Sequence, residues 1–301
     1  MKSVTTFHHS ILRGFLRLSP TSPIAPLYFL LGEAPIEAAL HLDIFSLFWN
    51  IWSNPGTTAF KIVEYILMMA DDKSVTWAVH LRILCKQYAL PDPLKLLQGN
   101  LLPKTTWKEL TQTAIIAYHE ELLRAKAATN YKLIYLNVAA TGLSGRPHPI
   151  LSGLATTQDV LRAVPHIRML SGDYLCFATL SIERGSDPQC RLCTPGITGH
   201  APAEDITHIV SRCRGTSDPR DRILPDLLNT VMKHNPSNGI LNKPNHLTLC
   251  QFILDCTSLN LPNDVRLPST HPGFIDVVNK CRDLCHSIHK ERIRKLKALG
   301  L

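Results

Sequence analysis

The chain has 301 residues, of which 45% are hydrophobic and 19% are charged. That apolar content is enough to build a core, which excludes pervasive disorder, and the length leaves room for more than one packed unit. The 32 Lys and Arg residues against 24 Asp and Glu residues give a net charge of +8, which favours a polyanionic partner. No apolar run approaches the roughly 18 to 20 residues of a membrane helix, so we expect no membrane contact.

The N-terminal segment, residues 1–55, is predicted to be basic and to contain a proline-rich linker. It has no Asp or Glu before Gly32, while Lys2, Arg13 and Arg17 lie among Ser, Thr and apolar residues. This composition is typical of an organellar transit peptide, and equally of a short basic helix followed by a loop. We favour the second interpretation and expect a cytoplasmic or nuclear protein, with a mitochondrial location as the alternative.

Helical periodicity dominates residues 56–140, which we predict to be a helical domain. Apolar residues at steps of three and four place one helix from about residue 58 to about residue 72, and Ser74 begins the next. The longest helix is predicted to begin with a capping box formed by Thr106 and Glu109. Its expected buried face consists of Trp107, Leu110, Ala114, Tyr118, Leu122 and Ala125.

The Gly- and Pro-rich residues 141–155 break any regular element and are the expected linker between domains. Beyond it, residues 156–216 should contain helices, the first beginning at Thr156 or Thr157, and a metal-binding module. The remaining residues, 217–301, are predicted to be helical with a basic end.

Four metal-ligand residues follow one another within residues 190–213. Cys190 and Cys193 form a C-x2-C pair, and His208 and Cys213 follow after fourteen and then four further residues. In small zinc modules of similar spacing, a tight turn presents two thiolates and a helix returns the other two ligands. Because four protein ligands leave no open position for water, we predict a structural Zn²⁺ in a Cys3His knuckle.

His200 is the alternative fourth ligand of this site. We favour His208, because the four residues between it and Cys213 allow one helical turn to carry both ligands. Nine cysteines, an odd number in a chain too long to need disulfides, fit a reducing compartment and leave the other thiols as small core residues.

Two groups of cations are candidate phosphate contacts. Arg191, Arg212 and Arg214 lie beside the metal ligands and could also offset the charge of three thiolates. The last predicted helix ends in a second group, Lys290, Arg292, Arg294, Lys295 and Lys297. Cations there either contact phosphate or only complement the helix dipole. Cys281, Cys285 and His289, on the same helix, fit a buried apolar stripe better than a second metal site.

Motifs of enzyme active sites are missing from the sequence. It contains no phosphate-binding loop, no dinucleotide-binding glycine motif and no nucleophile elbow. Asp71 and Asp72 invite comparison with the paired aspartates of a polymerase, but they end a predicted helix rather than lying on an apolar hairpin, and no third catalytic carboxylate is evident upstream. We therefore predict no catalytic residues and no enzymatic activity.

Three stretches resemble the region that follows the polymerase core in reverse transcriptases of non-LTR (LINE-type) retrotransposons. They are residues 26–52, with a leucine-rich run and Pro-Ile-Glu, residues 75–97, and the metal-ligand region, which contains Glu204-Asp205-Ile-Thr-His208. The last is similar to a zinc-binding motif near the C terminus of these polymerases. The resemblance implies a part that helps to bind template RNA or target DNA, lacks the catalytic aspartates and could contact an upstream polymerase domain.

Together these observations predict a mainly α protein, an irregular helical assembly with a small Cys3His zinc knuckle. The expected function is binding of RNA or DNA through the two groups of cations. A protein-interaction scaffold braced by a structural zinc, with no nucleic-acid contact, is the alternative.

Overall fold

The computed structural model describes residues 2–69, 74–143, 145–194, 200–234, 239–242, 244–258 and 272–301. The protein is 69% helical, and the described residues contain no β-strand, which confirms the predicted fold class. Within these ranges, no helix is both long and apolar enough to cross a bilayer.

In chain order, the helices are α1 (Lys2–Phe15), α2 (Ala25–Leu31), α3 (Ile36–Trp52), α4 (Thr58–Met69), α5 (Trp77–Gln87), α6 (Pro93–Leu97), α7 (Lys104–Ala128), α8 (Thr157–Leu170), α9 (Phe177–Arg184), α10 (Ser217–His234), α11 (His246–Leu254) and α12 (Pro272–Ala298). They form two compact units. The first consists of Met1–His8 and Glu33–Lys126, and the second of His9–Gly32 and Ala127–Leu301.

An aromatic cluster forms the centre of the first unit. Phe48 and Trp52 of α3 stack with ring centres 5.9 Å apart, and Trp107 of α7 meets Trp52 edge-on at 5.8 Å. The Trp107 Nε1 donates a hydrogen bond to the Phe45 carbonyl oxygen at 3.0 Å, so the buried indole keeps a polar partner. These contacts position α7 against α3.

The buried face of α7 differs from the one expected from apolar periodicity. Leu110 and Leu122 are 39% and 40% exposed, whereas Thr111 and His119 are buried. Thr111 Oγ1 donates to a backbone carbonyl one turn earlier at 2.9 Å, and His119 Nε2 lies 3.3 Å from the Tyr88 hydroxyl. Because both polar side chains have hydrogen-bond partners inside the unit, they replace leucines on the inner face.

The helix termini agree with the sequence in one case and differ in two. Thr156 caps α8 and exchanges hydrogen bonds with Asp159, so the expected start is confirmed. The N-cap of α5 is Thr76 rather than Ser74, because the Thr76 hydroxyl accepts a backbone hydrogen bond. The α7 helix begins before Thr106, which therefore lies within the helix and does not cap it.

The expected linker, residues 141–155, lies within the second unit. Backbone hydrogen bonds from Gly145 to the Gly32 carbonyl at 2.8 Å and from His148 to the Leu30 carbonyl at 2.7 Å attach this stretch to α2. Gly32 has φ +68°, and a Cβ there would lie 2.1 Å from a carbonyl oxygen of the stretch. The backbone of this segment therefore lies against the C-terminal end of α2.

The α12 helix lies at the centre of the second unit, where it packs against α8 and α10. The predicted apolar stripe is confirmed, since Cys281, Cys285 and Ile288 are all fully buried. Arg282 of the same helix donates to two backbone carbonyls, those of Ile150 at 3.0 Å and Ser152 at 2.8 Å. The helix thus provides both apolar packing and polar contacts for the rest of its unit.

Candidate metal centre

A short backbone pairing closes the turn that carries the first two ligand residues. Cys190 N donates to the Pro202 carbonyl and Glu204 N to the Pro188 carbonyl, both at 2.8 Å. These bonds flank an isolated antiparallel bridge between Gln189 and Ala203. The two ends of the loop are therefore joined, and the Cys190–Cys193 turn has a defined direction.

The other two ligand residues belong to a π-helical turn, His208–Arg212, followed directly by Cys213. Cys213 N donates to the His208 carbonyl at 2.6 Å, an i→i+5 bond. In an α-helix, residues five apart lie about 140° apart around the axis and would face different directions. The wider turn brings both side chains to one side, so the predicted single turn exists in π form.

The ligand atoms of Cys190, Cys193, His208 and Cys213 all lie within 4.8 Å of one another. The Cys213 Sγ is 3.7 Å from the Cys190 Sγ and 3.8 Å from the Cys193 Sγ, and the Cys193 Sγ is 3.4 Å from the His208 Nε2. Tetrahedral zinc coordination requires about 3.8 Å between two sulfurs and about 3.5 Å between sulfur and nitrogen. These four residues could therefore hold one metal ion.

His200 does not belong to this cluster. It is exposed, and its Nδ1 lies 3.3 Å from the Gln189 side-chain amide. Residues 195–199, in the loop before it, lie outside the described residues. The arrangement therefore confirms the choice of His208 as the fourth member.

A glycine allows the Cys190–Cys193 turn to pack closely against the residues that follow Cys213. A Cβ at Gly215 would lie 2.4 Å from the Leu192 Cβ, much closer than such atoms approach. The neighbouring Thr216 hydroxyl donates to the Ile209 carbonyl at 2.9 Å, which holds this chain segment against the π-helical turn. Close packing and hydrogen bonds therefore both fix the relative positions of the ligand pairs.

A buried ion pair connects the site to α12. Glu204 is fully buried, and its Oε2 lies 3.6 Å from the Cys190 Sγ, while its Oε1 accepts a 2.6 Å hydrogen bond from Arg292. The Arg292 guanidinium also lies over the ring of Tyr174, at 5.5 Å, and over that of Phe177. Burial opposes ionisation of Arg292, but the hydrogen bond to Glu204 and the interactions with Tyr174 and with the Glu204 charge together outweigh it, so the pKa of Arg292 is raised.

The thiols of the cluster differ in acidity. The hydrogen bond from Cys190 lowers the pKa of Cys213 to about 3, and the neighbouring His208 acts in the same direction. The same contact with Cys213, together with burial, raises the pKa of Cys190. Arg220 donates to the Cys213 carbonyl oxygen at 2.8 Å, which places a cation beside the more acidic thiol.

The predicted phosphate contacts occupy different environments. Arg292 is only 6% exposed and is held by Glu204, which corrects its interpretation as a phosphate contact. Arg191 pairs with Asp187 at 2.9 Å, and Arg294 and Lys295 both pair with Glu291. The remaining candidates are exposed, namely Lys290, Lys297, Arg212 and Arg214.

Sequence reasoning missed Glu204 and Arg220 as neighbours of the metal ligands. Asp205 stabilises the start of the π-helical turn, because its Oδ1 accepts a hydrogen bond from His208 N at 2.6 Å, whereas Glu204 is buried beside Cys190. Arg220 had no distinguishing signal, since one arginine in a polar helix indicates no contact. For Arg292 a signal existed, because it lies four residues from both Ile288 and Leu296 on the buried stripe of α12.

Comparisons with known proteins found no match for this chain. No protein-family model matches the chain, no curated protein is significantly similar to it in sequence, and no solved structure matches it. Functional conclusions therefore depend on the residues themselves.

Proposed function

We propose that this protein binds nucleic acid and that a structural Zn²⁺ braces the second unit. The observation that carries the proposal is the position of Arg212 and Arg214. Both are exposed, both flank the ligand Cys213, and neither side chain has an ion pair among the described residues. Exposed cations at fixed positions beside a rigid centre are suited to phosphate contacts, and the net charge of +8 favours the same partner.

Zinc is the metal that best suits this donor set. Three thiolates and one imidazole in tetrahedral spacing are typical ligands of Zn²⁺, and four protein ligands form a closed site. Ion binding at such a site contributes to the folding energy and makes the surrounding residues rigid. The four protein ligands would fill the coordination sphere of the ion and leave no position for a substrate. We therefore propose that the ion has a structural role and that the protein is not an enzyme.

The resemblance to non-LTR retrotransposon reverse transcriptases supports a more specific proposal. The chain would be a C-terminal part of such a polymerase, without the polymerase active site, and could contact an upstream polymerase domain. In that setting Arg212, Arg214 and the exposed cations of α12 would hold template RNA or target DNA. Phosphate contacts of this kind carry no base specificity, so we expect little sequence preference.

A salt titration tests nucleic-acid binding. The dissociation constant for a single-stranded RNA of mixed sequence should rise steeply between about 50 mM and 200 mM salt, with a matched DNA strand as the second probe. Replacing both Arg212 and Arg214 with Gln should weaken binding and reduce the salt slope. Weak binding that is equal at both salt concentrations would contradict the proposal and favour the interaction scaffold.

Metal analysis tests the zinc site. We expect about one equivalent of zinc in the parent protein and much less in Cys193→Ser, because the remaining three ligands bind more weakly. Cys85→Ser is the matched control, since Cys85 is a buried thiol of the first unit and should leave the zinc content unchanged. Equal zinc in all three proteins would remove Cys193 from the ligand set.

A further inference from the structure

A groove in the second unit gathers cations that lie outside the Cys3His cluster. It has a volume of about 830 Å³ and lies between α8, α10 and α12. Arg162 enters its lining from α8, Arg222 from α10, and Lys290 from α12. Among the described residues, none of these three side chains has a hydrogen bond or an ion pair with a protein group. Three helices thus direct unpaired cations to one concave surface.

The carboxylates of the groove do not cancel these charges. Asp218, Asp283 and Glu291 also line it, but Glu291 is held by Arg294 and Lys295 of its own helix. Two carboxylates therefore remain against three unpaired cations. Two of the three are guanidinium groups, whose planar pairs of N–H donors match phosphate oxygens. The groove is therefore suited to a phosphate-bearing ligand.

His286 supplies a second observation that points to a ligand. It lines the same groove, and its Nδ1 is buried without a hydrogen-bond partner. A buried polar atom without a partner is unfavourable, and a ligand group that bonds to it would remove part of that cost. Burial, Arg162 of α8 and Lys290 of α12 lower the pKa of His286, and Asp283 opposes the shift. The lowered pKa favours the neutral ring, which can both donate and accept a hydrogen bond.

We infer that this groove binds the backbone of a single-stranded nucleic-acid segment, with Arg162, Arg222 and Lys290 as phosphate contacts. The inference rests on the proposed function and specifies its binding site. A concave cationic groove that follows the backbone is a common solution for single strands. Its lining includes none of the described Phe, Tyr or Trp side chains, so base stacking contributes little and sequence preference is weak.

The test compares double variants that lose the same charge. The groove variant is Arg162→Gln with Arg222→Gln, and the control is Arg124→Gln with Arg184→Gln, two cations outside the groove. The probe is a fluorescent single-stranded RNA of about 12 nucleotides. We expect the groove variant to bind about tenfold more weakly than the control, with a salt slope lower by about 1.4, since single strands lose about 0.7 per phosphate contact.

Further variants and measurements distinguish a failure of the groove inference from a failure of the proposed function. Lys290→Gln, at an exposed position, repeats the test if the groove variant does not fold, as judged by its thermal unfolding. Groove and control variants with equal affinity would overturn the inference. If binding then falls only in the variant that lacks Arg212 and Arg214, the proposed function stands without the groove. Salt-independent binding by the parent would contradict the proposed function itself, and equally strong competition by a polyglutamate peptide would identify an acidic protein segment as the partner.

Discussion

Glu204 places a carboxylate in the interior, 3.6 Å from a ligand sulfur and in contact with a single guanidinium. Its Oε1 also accepts a backbone hydrogen bond from Phe177 at 3.2 Å, so Arg292 and one amide provide its compensation. A buried charge that loses its partner is costly, because the low-dielectric interior cannot solvate it. This ion pair is therefore a sensitive point of the second unit.

Replacing Arg292 with Met should lower the free energy of unfolding by about 3 to 5 kcal/mol, because it leaves Glu204 buried and unpaired. Arg294→Met is the matched control, since Arg294 is exposed and the loss of its surface ion pair should change the free energy of unfolding little. Urea denaturation monitored by circular dichroism measures both. The double variant Glu204→Gln, Arg292→Met should recover part of the lost stability. Equal stability of Arg292→Met and the control Arg294→Met would contradict this account.

His166 makes stability depend on pH. It is 2% exposed, its Nε2 lies 2.8 Å from the Leu254 carbonyl oxygen, and burial lowers its pKa from 6.5 to about 4. The unfolded chain therefore binds a proton at higher pH than the folded protein does. Stability contributed by the neutral ring is complete above pH 6.5 and is lost as the pH falls toward 4.

The His166 prediction concerns the slope of stability against pH. Over this interval the free energy of unfolding of the parent should fall by about 3 kcal/mol more than that of a His166→Leu variant. The value follows from the pKa shift, since each pKa unit corresponds to about 1.36 kcal/mol. Urea denaturation at several pH values between about 4 and 7 measures the free energy of unfolding of both proteins. Subtracting the two values at each pH removes the contribution of proton uptake by all other groups. Parallel curves for the two proteins would show that His166 is not the titrating group.

At the scale of elements, the metal site depends on a turn that is wider than an α-helix and on close approach of two loops. The approach requires a residue without a Cβ at Gly215. Gly215→Ala should therefore destabilise the protein by about 1 to 3 kcal/mol, through displacement of the Cys190–Cys193 turn. It should also lower zinc affinity, because the displaced turn carries two of the ligands.

Gly56→Ala is the control for this change, since nothing lies within 4 Å of a Cβ built there. Its stability should stay within about 0.5 kcal/mol of the parent. Thermal unfolding and competition for zinc with a chromogenic chelator provide the two measurements. A Gly215→Ala protein that matches the Gly56→Ala protein in both would show that the contact with Leu192 is relaxed in solution.

Spacing in the sequence identified the four ligand candidates, because ligands on one turn and one helix end must follow a regular pattern. The π form of the turn was not predicted, because the spacing of His208 and Cys213 was interpreted as one ordinary helical turn. The pairing of Glu204 with Arg292 was not predicted either, because 88 residues separate them in the sequence. On α7, periodicity placed leucines inward because it treats every polar residue as exposed, although Thr111 and His119 have buried partners.

At the scale of the whole molecule, the two units have separate cores, and only the second contains the metal ligands. The expected division at residues 141–155 was based on composition, which does not show that the backbone of this segment hydrogen-bonds to residues 30–32. The sequence therefore predicted the class of fold and the four residues of the Cys3His cluster, while the division into units depends on contacts between distant segments.

Removal of the metal should affect the two units differently. With a strong chelator, amides of the second unit near His208 should exchange hydrogen faster, because ion binding contributes to the folding energy there. Amides around Trp107 in the first unit should keep their protection, since no metal ligand belongs to that core. Hydrogen exchange measured by mass spectrometry separates the two, and equal loss of protection in both would indicate one cooperative unit.

The central place of α12 has a consequence during synthesis on the ribosome. Among the described helices it is the last to be translated, yet α8, α10 and Glu204 all depend on it for their inner contacts. The second unit therefore cannot complete its core before α12 has left the exit tunnel, and its buried thiols stay accessible to solvent until then. Newly made chains should accordingly be most vulnerable to oxidation and to capture by chaperones in that interval.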